Sequence, residues 1–70
     1  MTQKQALAFV RYTIDTHGAL EGCQLIASAL GITWGTVYGW YRRENVPKWR
    51  LEALMRARPA VIAGDVQAAE

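Results

Sequence analysis

The chain has 70 residues, of which 51% are hydrophobic, with two prolines, one cysteine and a net charge of +2. At this length a single domain buries only about 60% of the surface that its unfolded chain exposes, so a staple or a second subunit is needed. Cys23 alone closes no internal disulfide, one histidine beside one cysteine makes no zinc ligand set, and no apolar run approaches the ~20 residues that span a bilayer, so the second subunit remains. The apolar fraction and the scarcity of proline favour a packed domain over a disordered segment. The opening Met-Thr-Gln-Lys-Gln adjoins no apolar signal segment, which makes the cytoplasm the expected location.

In chain order, Thr2 with Gln5 three residues on forms a capping-box pattern, and Leu7, Val10 and Ile14 then recur at helical spacing with Ala6 and Phe9 beside them. This predicts a first helix that closes near His17-Gly18, where glycine can take a left-handed conformation. Cys23 to Leu30 forms a second, short helix with Leu25, Ile26, Ala27 and Leu30 on one side and Gly31 as its stop. Thr33 suits the N-cap of a third helix, its hydroxyl accepting from the free N–H groups of the next turn, and Trp34 to Arg43 contains no proline. Gly35 and Gly39 each cost that helix about 1 kcal/mol relative to alanine, and Thr36 and Val37 add smaller penalties, so packing must hold it.

Glu44-Asn45 reads as a turn, and Pro47 suits the first position of a fourth helix, where its missing N–H would have no partner anyway. Leu51, Leu54 and Met55 supply that helix with an apolar stripe, and Pro59 is expected to end it. Residues 59–70 are alanine-rich with one apolar run, Ala60 to Ala63, and read as a C-terminal tail that could be frayed, a short strand or a dimer contact. The fold expected is an all-α domain of four short helices over residues 1–58, followed by that tail.

Charge is distributed unevenly along these elements. Residues 1–41 balance, with Lys4 and Arg11 against Asp15 and Glu21, whereas Arg42, Arg43, Lys48, Arg50, Arg56 and Arg58 face only Glu44 and Glu52. The last twelve residues carry Asp65 and Glu70. A local basic zone beside a neutral helical body suits phosphate binding, because each neutralised phosphate releases condensed counterions. Charge alone does not separate that use from an ordinary solvated face.

The pattern Ala27, Gly31, Val37, Trp40 is more specific. Two helices that cross near a right angle need a small side chain where they approach, a residue tolerant of positive φ in the turn, and apolar anchors on the second helix. Ala27, Gly31 and the pair Val37 and Trp40 fit these three positions in turn. The stretch Cys23 to Arg43 resembles the helix-turn-helix of bacteriophage Cro and repressor proteins and of related small Cro-like regulators. The following Asn45-Val46-Pro47-Lys48-Trp49-Arg50-Leu51 resembles the helix begun by Val-Pro in Cro-like members, so the likeness extends over residues 20 to 56.

The resemblance implies a small helix-turn-helix domain of the lambda-repressor type, with a recognition helix Trp34 to Arg43 in the major groove and its first turn nearest the bases. By position, Trp34, Gly35, Thr36, Tyr38 and Gly39 become base-contacting candidates. Arg42 joins them because it falls at i+8 from Trp34 and i+4 from Tyr38, on a face opposite Val37 and Trp40. Relatives often place Gln or Ser where this chain has Trp34 and Gly35, so bidentate amide pairing from those positions is lost and shape and apolar readout are expected instead. The phosphate-contacting candidates are Gln24, Thr33, Arg43, Lys48 and Arg50, the last two beside a positive helix N-terminus. Arg11, Arg56 and Arg58 receive no firm contact, and Arg58 can simply solvate the end of the fourth helix.

Plainer roles absorb the remaining residues. Trp40 reads as core, and Trp49, which the stripe of Leu51, Leu54 and Met55 does not include, reads as core filler ahead of a dimer or backbone contact. Tyr12 and Tyr41 read as edge-of-core residues with wet hydroxyls, Cys23 as a small buried or half-buried residue and His17 as a surface group. No glycine-rich phosphate loop, paired catalytic carboxylates or triad order is visible, so neither an enzyme nor a cofactor nor a small-molecule ligand is expected.

The function implied is a Cro-like phage or prophage repressor that binds double-stranded operator DNA as a homodimer, away from any membrane. Two rivals stand beside it. One is a protein-interaction module that docks through Trp34, Tyr38 and Tyr41, and the other is an excision or architectural factor that bends DNA.

Overall fold

Thr2 opens the first helix as its sequence requires: the hydroxyl accepts from the Gln5 N–H at 3.1 Å, and the Gln5 side chain accepts from the Thr2 N–H at 2.9 Å. The computed structural model describes residues 2–68, with side chains through residue 62. Within them lie four helices and no strand: α1 (Gln3–His17), α2 (Ala19–Leu30), α3 (Trp34–Arg43) and α4 (Lys48–Ala68). The chain is therefore all-α, and α2 packs against each of the other three helices.

One residue joins α1 to α2. Gly18 has φ 94° and ψ 160°, a region open essentially to glycine alone; its N–H closes α1 on the Ile14 carbonyl at 2.7 Å, and its carbonyl accepts from the Gly22 N–H at 2.8 Å. The first turn of α2 thus forms directly on Gly18, and the helix begins at Ala19, four residues before the expected Cys23. Gly22 lies inside that helix at its closest approach to α1. A Cβ there would stand 2.8 Å from both the Ile14 Cα and the Thr13 carbonyl oxygen, so only glycine lets the two backbones meet.

The turn between α2 and α3 follows expectation. Gly31 takes φ 70° and ψ 33°, and the Ile32 N–H reaches back to the Ala27 carbonyl at 3.0 Å. Thr33 occupies the N-cap of α3, but its hydroxyl does not cap the helix as expected. It pairs with the Thr36 hydroxyl at 3.0 Å, while the Thr33 carbonyl accepts from the Thr36 N–H. A partner hydroxyl one turn on competes for the group that would otherwise serve the backbone.

The core gathers Ala6, Phe9, Val10 and Ile14 of α1, Cys23, Ile26 and Ala27 of α2, Val37 and Trp40 of α3, Val46 of the connection, and Leu54 and Val61 of α4. Leu54, Ala57 and Val61 recur at i, i+3 and i+7 and carry the buried stripe of α4, with Leu51 at its edge. Met55, expected in that stripe, is 48% exposed.

Pro59 does not end α4. The helix continues to Ala68 through a proline that removes one backbone donor, so the segment expected as a tail from residue 59 is helical up to that point. An internal proline costs a helix about 3 kcal/mol. Burial of Val61 on the core, two residues beyond, offsets that cost and ties the segment to the domain.

Two further expectations need correction. Trp49 is 72% exposed and so does not fill the core; the side chain falls between the buried positions of α4. Tyr12 is 62% exposed, because the α1 face it shares with Ala8 opens onto a groove toward α4.

Candidate nucleic-acid interface

Val37 and Trp40, both buried, fix α3 against α2 from one side and thereby set which face looks outward. On that outer face Trp34, 46% exposed, stands 6.3 Å from Tyr38 between ring centroids, and the Arg42 guanidinium lies 5.8 Å from the centre of the Tyr38 ring. The Arg42 Nη1 also donates to the Tyr38 hydroxyl at 3.5 Å, a contact that stabilises the guanidinium and raises its pKa further above neutrality. Trp34, Tyr38 and Arg42 therefore form the continuous ladder that their i, i+4, i+8 spacing predicts.

A second strip runs beside it. Gly35 has open space where a side chain would be, and over Gly39 lies the guanidinium of Arg43, whose Nη2 and Nη1 come within 3.2 and 3.3 Å of where a Cβ would sit. Long side chains on a helix lean back over the preceding turn, and the missing Cβ lets Arg43 do so closely. Thr36, on the first turn of α3, is exposed but its hydroxyl is bonded to that of Thr33.

The connection from α3 to α4 is held from a distance. Glu44 ends α3 in the left-handed region, φ 52° and ψ 43°, and Asn45 donates to the Trp40 carbonyl at 3.1 Å. Arg11 of α1 is ion-paired with Glu44. Gln3 reaches across 43 residues to Val46, donating from Nε2 to the Val46 carbonyl at 2.6 Å and accepting from the Val46 N–H with Oε1. The carbonyl of Pro47 then accepts from the Arg50 N–H at 2.9 Å, and Lys48 starts α4.

These contacts determine which cations are engaged. Glu44 takes Arg11 and Glu52 takes Arg56, at 2.6 Å for the second pair. Among the described residues, Lys4, Arg42, Arg43, Lys48, Arg50 and Arg58 meet no carboxylate, and four of these six lie on α3 or in the first turn of α4. Arg50 instead stacks on the exposed Trp49 ring, 4.1 Å from its centroid.

One phosphate-contacting candidate is not brought to this surface. Gln24 lies in a shallow hollow of α1 and α2 lined by His17, Glu21, Leu25 and Ser28, with no residue of α3 in its wall. Arg58 lines a groove of about 470 Å³ between α1 and α4, beside Phe9, Tyr12, Met55 and Ile62, and does not mark a helix end. Cys23 is buried, and burial pushes its thiol pKa up, which suits a core residue.

The seat of Arg43 on Gly39, the stack of Arg50 on Trp49 and the Gln3 clamp on Val46 are absent from the expectations. The first follows from the same i, i+4 spacing that gives the Trp34 ladder; the clamp joins segments too far apart in sequence to signal each other. Among the described residues no cluster of His, Cys, Asp and Glu could hold a metal ion, and no helix is long and apolar enough to cross a membrane. Comparison with protein-family models, with curated proteins and with solved structures finds no match in any of the three.

Proposed function

We propose that the protein is a sequence-specific DNA-binding regulator of the helix-turn-helix type that places the outer face of α3 in the major groove. The observation that carries this reading is that Arg42 and Arg43 on α3, and Lys48 and Arg50 in the first turn of α4, meet no carboxylate among the described residues, as Lys4 and Arg58 also do not, while Val37 and Trp40 anchor α3 from behind and leave its other face exposed. Helix-turn-helix proteins read bases from such a face and hold phosphates with the groups at its edges. Lys48 and Arg50 stand in the first turn of α4, where the helix dipole also favours an anion. On this reading a dimer, which the small core of a 70-residue chain favours, represses by occupying a partly palindromic operator in the cytoplasm, two recognition helices about one DNA turn apart.

The contact of the Trp34, Tyr38 and Tyr41 rings, at 6.3 and 6.1 Å, favours one second reading, an aromatic docking patch for a protein partner. Selection of bound sequences from random duplex DNA at low salt separates the two. A DNA regulator enriches a defined site, Tyr38→Ala loses part of the preference, and Arg50→Ala weakens all sequences alike. Failure of the wild-type protein to enrich any site removes the DNA reading.

A further inference from the structure

We infer that Arg43 reads a guanine in the major groove, from a seat on Gly39, and does not serve as a phosphate grip; this rests on the DNA-binding reading above. The guanidinium lies along α3 over Gly39, one turn back from its own Cα, and so borders the strip that includes exposed Gly35. That strip has no side chain of its own at either glycine. On the neighbouring ladder the hydroxyl of Tyr38 is engaged by Arg42, and on the first turn the Thr36 hydroxyl is engaged by Thr33. The Arg43 guanidinium meets no carboxylate among the described residues, so its forked N–H donors remain available. An arginine fork carried on a helix that faces the groove matches the O6 and N7 acceptors of guanine, which take two parallel bonds from arginine. A phosphate needs no such seat, because any mobile cation can reach it.

Gly39 has a defined part in this. A Cβ at position 39 would crowd only the far end of the flexible Arg43 side chain, so Gly39→Ala leaves the fold intact, favours the helix and moves the guanidinium off its seat. The test is selection from random duplex DNA with the wild type, Arg43→Lys and Gly39→Ala, with thermal melting of all three. Lysine keeps the charge but not the bidentate fork.

The expected result is that the wild type enriches a site with an invariant guanine, that Arg43→Lys loses preference at that one position by about tenfold or more, and that every other position is kept. Gly39→Ala is expected to melt higher while losing preference at the same guanine. If Arg43→Lys retains the full preference, or if it weakens all sequences equally, the inference is overturned while DNA binding stands. If the wild type enriches nothing, the inference falls together with the reading on which it rests.

Discussion

The side-chain amide of Gln3 pairs with both backbone polar groups of Val46, so the first residue of α1 fixes the connection that carries Lys48 and Arg50. Val46 is buried, and its two hydrogen bonds to Gln3 are partly shielded from water. Gln3→Ala removes two part-buried hydrogen bonds, each worth about 1 kcal/mol. A clear drop in melting temperature is expected from calorimetry, with Gln3→Glu unable to restore it because a carboxylate cannot donate to the Val46 carbonyl. An unchanged melt in both variants would show that the clamp contributes nothing.

Gly22→Ala tests the α1–α2 contact. The new Cβ would stand 2.8 Å from the backbone of Ile14 and Thr13, neither of which can rotate away, so the helices must separate. Overpacking of this kind costs about 1–3 kcal/mol and here meets backbone, which places the expected loss at the upper end. Denaturant unfolding monitored by circular dichroism reads it directly, and a midpoint equal to that of the wild type would refute the close approach.

Pro59→Ala tests whether α4 continues past residue 58. Inside a helix, alanine restores the donor that proline lacks and gains up to about 3 kcal/mol, so higher helicity and a higher melting temperature are expected. Val61→Ala should lower the melt by removing buried apolar surface from the same turn. Were the segment a loose tail, neither substitution would move the transition.

Cys23 supplies a chemical test of the core. Burial raises its pKa, so folding favours the protonated thiol. Stability from this source is complete below the ordinary thiol value of the unfolded chain and is lost as pH rises through the higher value of the folded one. Native protein should resist alkylation at mildly alkaline pH and react at once in denaturant, as mass spectrometry would record. Rapid labelling of the folded protein would contradict the burial.

What could be seen in the sequence was local. The capping box of Thr2 and Gln5, the left-handed Gly31 and the span of α3 each depend on contacts within a few residues, and all three are as expected. The outer ladder of Trp34, Tyr38 and Arg42 was legible for the same reason. What the sequence hid depends on tertiary partners. Gly22 looks like any glycine until Ile14 is placed against it, and Pro59 looks like a stop until Val61 is buried beyond it. Trp49 lies outside the stripe of Leu51, Leu54 and Met55 and reads as core filler ahead of a dimer or backbone contact; its register on α4 puts it in solvent beside Arg50.

The central claim is that α3 and the start of α4 bind duplex DNA through cations that no carboxylate neutralises. Its most direct test is the dependence of affinity on salt, measured by fluorescence anisotropy on the duplex selected by the wild-type protein. Log affinity should fall linearly with log salt, and Lys48→Ala and Arg50→Ala should each make the slope shallower by about one unit while leaving the preferred sequence unchanged. An affinity that is flat across salt, with the same slope in both variants, would contradict the account.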